Sequence, residues 1–130
     1  IQSFDDGCLQ RLGRIHDSRE ADAAVKLAQD AGFDNCNLDL MYALPGQDLA
    51  MAARDVERAL ALAPAHISHY QLTLEPNTVF AARPPQGIPD LDASWDIQEA
   101  CQARIAQATH QVELAQARAR VLTTIGVEVR

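Results

Sequence analysis

Apolar positions recur at helical spacing in three stretches of this chain and cluster in short, strand-like runs between them. Ala21, Ala24, Val25, Ala28 and Ala31 lie three or four residues apart, or side by side, as on one helix face. Asp17-Ser18 stand ahead of them, Glu20 and Asp22 fall in the first turns, and Gly32 comes just after. These are the residues that open and close a helix. A second stripe, Leu49, Ala52, Ala53, Val56, Ala59, Leu60 and Ala63, predicts a helix from Leu49 to Leu62 with Asp48 as its cap. On that helix Arg54, Asp55, Glu57 and Arg58 are expected to face water, and Pro64 cannot continue it. A third helix is expected from about Asp92 to Ala108, packing through Trp95, Ile97, Cys101 and Ile105. Asp5-Asp6 can cap a short helix reaching about Leu12.

Between these helices lie the strands. Asn35 to Tyr42 reads as one, because Leu38, Leu40 and Met41 suit a strand covered on both faces, as in a parallel sheet. His66 to Leu74 reads as the next, and Ile1 to Phe4 as the end of a third. The strand–helix–strand–helix–strand rhythm implies parallel pairing with right-handed crossovers, the pattern of an α/β fold and of a segment of a (β/α) barrel. Glu75-Pro76-Asn77-Thr78 predicts a turn, with Asn77 or Thr78 capping the next element, and Arg83 to Pro89 a stiff, Pro-rich connection.

Composition narrows the classes. A chain of 130 residues that is 48% hydrophobic can bury one real core. Its net charge of −7 argues against a nucleic-acid surface. No apolar run is long enough to span a bilayer and no signal peptide opens the chain, so the cytoplasm is the expected location. Cys8, Cys36 and Cys101 are odd in number and far apart, which fits neither a disulfide framework nor a compact metal site. They read as small thiols in a reducing compartment. His16, His66, His69 and His110 form no local ligand motif.

The residue with the clearest chemical promise is Asp39. An acid inside an apolar strand is costly to bury without a partner. Asp39 is therefore expected toward the open end of the sheet, where α/β folds bind ligands, or else facing solvent on an ordinary strand.

Four motifs occur in a fixed order: Gln2-Ser3-Phe4-Asp5-Asp6, Leu12-Gly13-Arg14-Ile15-His16, Asn37-Leu38-Asp39-Leu40-Met41-Tyr42-Ala43-Leu44-Pro45-Gly46-Gln47, and Tyr70-Gln71-Leu72-Thr73-Leu74-Glu75-Pro76-Asn77-Thr78. Together they resemble the radical SAM family of the oxygen-independent coproporphyrinogen III oxidases, most of all its HemW branch of heme chaperones. The resemblance runs from Ile1 to about Ala108. It implies a radical SAM partial barrel, S-adenosylmethionine (SAM) and a 4Fe-4S cluster as cofactors, heme as a further ligand, and a heme-accepting protein as partner. By the same resemblance Gln2, Arg14, Asp39 and Thr73 stand at positions that contact SAM. A carboxamide at Gln2 can donate and accept, the Arg14 guanidinium suits a carboxylate, Asp39 can accept from a ribose diol, and Thr73 offers backbone near the adenine.

The sequence departs from the family in several places. The Cys-x3-Cys-x2-Cys loop that holds the cluster is not in this chain, nor is the later Asn-rich, aromatic segment associated with heme. Cys36 stands where relatives often carry an aromatic residue. Ala43 replaces the usual Gly, tolerable if that residue stays extended. The implied division is 1–83 as the second half of the partial barrel, 84–108 as connection and helix, and 109–130 as a divergent tail, rich in Ala, Gln and Arg, that a frameshift would explain. Reading the coding DNA in its other frames for the family's Tyr-Glu continuation tests that origin. Three functions stay open: a HemW-like protein of heme transfer, a coproporphyrinogen III oxidase acting by radical decarboxylation of propionates, and an inactive remnant.

Overall fold

A computed structural model describes residues 1–124 of the chain. The elements run in order as α1 (Asp6–Arg11), α2 (Ser18–Asp30), β1 (Asn37–Tyr42), α3 (Leu49–Ala61), β2 (His66–Gln71), α4 (Val79–Ala82) and α5 (Leu91–Thr124). Aspartates start the first three helices. Asp5 accepts from the Cys8 N–H, Asp17 and Glu20 form a reciprocal capping box, and Asp48 accepts from the Met51 N–H. Of the two candidates for the later turn, Thr78 is the one that caps α4.

β1 and β2 pair in parallel, in register from Asn37 opposite His66 to Tyr42 opposite Gln71. On the other edge of β1, Gln2 forms a parallel bridge with Leu40. Three neighbouring segments thus run the same way, with α3 as the crossover between β1 and β2, as expected of an α/β barrel segment. The strands are shorter than the pattern predicts. β1 starts at Asn37 rather than Asn35, and β2 ends at Gln71 rather than Leu74.

The helices cover one face only. Leu38, Leu40 and Tyr42 are buried, whereas Asn37, Asp39 and Met41 alternate with them on the less covered face. The expectation of a strand covered on both faces is therefore corrected: Leu38, Leu40 and Tyr42 share one core with residues of α2, α3 and α5, while Asn37 is exposed and Asp39 and Met41 are only partly buried. There α3 lies against β1, and α5 against α3 and β1. Phe4, Leu40, Val56, Ile97 and Cys101 meet in this core.

Several helix positions are also corrected. Asp55 does not face water; it is 4% exposed. Trp95 is 66% exposed, because the buried face of α5 carries Ser94, Ile97 and Cys101, one turn apart, and Trp95 falls off it. Ala24, Ala31, Leu49 and Ala63 are exposed despite their stripe spacing. For α2 the cause is that only Ala21 and Val25 meet the core. α5 does not stop near Ala108 but continues to Thr124, as a run of good helix formers such as Ala, Gln and Arg allows. Residues 125–130, the end of the proposed tail, lie outside the described residues. No helix among the described residues is long and apolar enough to cross a membrane.

Ala43 is the sharpest departure from expectation. It is not extended but sits at φ +57°, buried, where β1 turns into the Leu44–Gln47 loop. An L-residue there is strained by about 1–2 kcal/mol. Ala43→Gly is expected to raise the stability of the chain by about 0.5–1 kcal/mol, the gain being offset in part by the freer unfolded glycine. A urea titration whose midpoint stays put or falls would contradict this.

Candidate functional site

Two strands present a polar row on their less covered face. By register Asn37 and Asp39 stand beside His66 and Ser68. The Asn37 amide links them: its Nδ2 donates to Asp39 Oδ1 at 2.7 Å, Ser68 Oγ donates to its Oδ1 at 3.2 Å, and His66 Nδ1 lies 2.6 Å from the same oxygen. The second Asp39 oxygen has no hydrogen-bond partner among the described residues and can accept from a ligand. Asp39 lies in mid-strand, not at the open end of the sheet as expected. Its half-exposed position follows from the alternation that buries Leu38 and Leu40.

Gln2 is locked to the same strand. Its N–H donates to the Asp39 carbonyl and its carbonyl accepts from the Met41 N–H, both at 2.8 Å. Its φ is +68°, and the Ser3 N–H donates back to the Ile1 carbonyl at 2.9 Å, so Gln2 is the middle of a three-residue turn. For a non-glycine residue this conformation costs about 1–3 kcal/mol and persists only where its surroundings enforce it. Arg14 comes after α1, where Gly13 at φ +74° lets the Arg14 N–H donate to the Leu9 carbonyl at 2.9 Å. Its side chain is exposed. Gln2 and Asp39 are thus joined backbone to backbone. Thr73 stands apart, beyond the end of β2, exposed, its hydroxyl donating to Glu75 at 2.8 Å.

The loop after β1 is clamped from three sides. The Gln47 side chain accepts from the Leu44 N–H, Arg11 Nε donates to the Pro45 carbonyl at 2.5 Å, and the Gly46 N–H donates to the Gly87 carbonyl at 2.7 Å. A Cβ on Gly87 would stand 3.1 Å from Gly46 N, so the Pro-rich connection carries glycine where it meets the loop.

Sequence reasoning missed Asp55. Ser3 Oγ donates to its Oδ2 at 2.6 Å and the Phe4 N–H to its Oδ1 at 2.8 Å, while Gln47 Nε2 approaches Oδ2 at 3.4 Å. Burial pushes its carboxyl above the usual carboxylate range, partly opposed by the bonds from Ser3 and Phe4. A signal was available: Asp55 falls among Ala52, Val56 and Ala59, inside the apolar stripe rather than beside it.

The cysteines do not fit a cluster. Cys8 and Cys101 are buried, and burial pushes each thiol up to about 11. Cys36 Sγ donates to the Phe33 carbonyl at 3.2 Å. Among the described residues no three His, Cys, Asp or Glu side chains gather as a metal site.

The histidines divide by environment. His110 is exposed on α5 and His16 Nε2 lies 3.4 Å from the Ile1 carbonyl. His69 stacks on Tyr42 with ring centroids 4.7 Å apart, and its buried Nδ1 has no hydrogen-bond partner among the described residues. Burial lowers its pKa below the ordinary 6.5. The folded state then binds its proton less readily than the unfolded one, so this contribution to stability is complete above pH 6.5 and is lost as pH falls through the lowered value. Denaturation midpoints at pH 7.5 and 5.5 should therefore drop more for the parent than for His69→Phe; equal drops would refute it.

No protein-family model matches the chain. It is 54% identical over 111 residues to the heme chaperone HemW of Haemophilus influenzae and 50% identical over 111 residues to that of Escherichia coli, in each case covering 85% of this chain and 29% of the relative. The HemW of Bacillus subtilis matches at 33% identity over 118 residues, 88% of this chain and 31% of the relative. Among solved structures, the coproporphyrinogen III oxidase HemN of Escherichia coli, described as a radical SAM enzyme, superposes with a TM-score of 0.74 at 25% identity, over 83% of this chain and 25% of that one. The chain spans under a third of the length of the curated relatives it matches. With parallel strands, a matching fold and this level of identity, the chain belongs to the radical SAM family of the oxygen-independent coproporphyrinogen III oxidases, on its HemW branch.

Proposed function

We propose that these residues supply the nucleoside side of a SAM site in a HemW-like protein of heme transfer and porphyrin metabolism. The observation that carries this reading is Asp39: one oxygen is held by Asn37, the other has no hydrogen-bond partner among the described residues, and the carboxylate lies on the polar sheet face with Gln2 bound to its strand. The unpartnered oxygen accepts from a ribose hydroxyl. Arg14 meets the methionine carboxylate, Gln2 offers its carboxamide to the same end of the ligand, and Thr73 offers only backbone, near the adenine. Supplied by residues outside this chain, a 4Fe-4S cluster would activate bound SAM; the cysteines here do not hold one. Heme or a porphyrin and a heme-accepting protein are the partners of this reading, and the cytoplasm its location. The segment 1–83 acts as the second half of the partial barrel, 84–108 as the connection and helix that lead away from it, and 109–130 as the frameshifted tail.

A coproporphyrinogen III oxidase is the second reading, favoured by the HemN structure as neighbour. The Gly46-Gln47 pair and the run Leu74 to Thr78 favour the HemW branch over it. The inactive remnant is the third.

In the intact protein that carries this segment, calorimetric titration should show Asp39→Ala binding SAM about tenfold to a hundredfold more weakly. That is the expected loss of one or two hydrogen bonds to a charged acceptor. An unchanged dissociation constant would remove Asp39 from the site.

A further inference from the structure

We propose that Asp55, on α3, is a positioning residue for the nucleoside site: through Ser3 and Phe4 it holds the turn that sets Gln2 against Asp39. The inference rests on Gln2 and Asp39 being SAM contacts. Gln2 occupies a left-handed conformation that favours glycine, so something must hold it there. Its own peptide groups are tied to β1, but those two bonds would equally suit an extended residue continuing the strand. The Ser3 N–H to Ile1 carbonyl bond closes the turn locally, and the chain leaving it is anchored by the next pair of bonds: Ser3 Oγ at 2.6 Å and the Phe4 N–H at 2.8 Å, both donated to one carboxylate more than fifty residues away. The Asp5 N–H in turn donates to Ser3 Oγ at 3.0 Å. Ser3 is fully buried and Asp55 nearly so, so water does not compete for these bonds. Asp55 itself sits on a helix packed against β1, and Gln47, from the loop that ends β1, reaches the same oxygen. One carboxylate therefore ties together the Gln2 turn, the helix behind the sheet and the loop after Asp39's strand. An acid that only braced the core would not need to bond the two residues next to a strained turn.

The test is SAM affinity in the intact protein that carries this segment, measured by calorimetric titration at a temperature where each variant remains folded. Ser3→Ala and Asp55→Ala are each expected to bind SAM about tenfold more weakly, with Asp55→Asn within about threefold of the parent, because a carboxamide keeps an acceptor for Phe4 and a partner for Ser3. If Ser3→Ala lowers the unfolding temperature yet binds SAM within about twofold of the parent, Asp55 is a brace and the proposal is overturned. It is overturned equally if Asp55→Asn fails to recover what Asp55→Ala loses. Asp39→Ala separates the two levels. Weaker binding there with unchanged binding in Ser3→Ala removes the role of Asp55 alone, whereas unchanged binding in Asp39→Ala takes down the site and this inference with it.

Discussion

Asp55→Ala is expected to destabilise the fold by about 3 kcal/mol, and Asp55→Asn by about 1 kcal/mol or less. Alanine leaves the Ser3 hydroxyl and the Phe4 N–H buried without an acceptor, and each orphaned group costs about 1–3 kcal/mol. Asparagine keeps both bonds in altered form and removes a charge that burial disfavours. The pH dependence separates the two effects. Because burial raises the Asp55 pKa above the ordinary 3.8, the folded state binds this proton more tightly than the unfolded chain. That contribution to stability is complete below pH 3.8 and is lost as pH rises through the raised value. The parent should therefore gain on Asp55→Asn as pH falls from neutrality, the opposite sign to the His69 effect. Urea titrations of parent and variants between pH 4 and 7 measure both; if Asp55→Ala costs less than about 1 kcal/mol, the buried network carries little.

Leu40→Ala should cost about 3–4 kcal/mol, within the range for a buried leucine whose surroundings cannot collapse. Leu40 is fully buried in the strand that Gln2 and His69 flank on either edge. The core cluster it belongs to draws on three helices, α2, α3 and α5, and on Phe4 near the chain's start, so no single element can shift to fill the cavity. Trp95→Ala, by contrast, removes a larger side chain that is mostly exposed, and should change stability by no more than about 0.5 kcal/mol. Thermal or denaturant unfolding of the two variants side by side checks the pair. A larger loss for Trp95 than for Leu40 would mean that the packing of α5 on this core is wrong.

Local physics explains most of what was legible in the chain. Helix starts depend on one side chain and the N–H groups just after it, so Asp5, Asp17 and Asp48 announce themselves. Parallel pairing could be read from the alternation of strand and helix, and the order of four motifs marked the family before any fold was seen. Of the expected site residues, Gln2 and Asp39 are tied together by backbone bonds, while Thr73 lies beyond the end of β2.

The misreadings concern partners distant in sequence. Asp55 looks like one more charge on a helix until Ser3 and Phe4, some fifty residues earlier, fold back onto it. Ala24 and Trp95 look like core residues because spacing shows which side chains share a face, not whether another element covers that face. Ala43 could have been extended or left-handed; its actual φ of +57° is imposed by the loop after it, which Arg11 and Gly87 clamp from elsewhere. What the sequence determined alone, then, was the elements, their caps and the family, all set by neighbouring residues. The tertiary structure alone decided which acid is buried, which strand face stays polar and which turn is strained, because each of those depends on contacts that exist only after the chain has closed on itself.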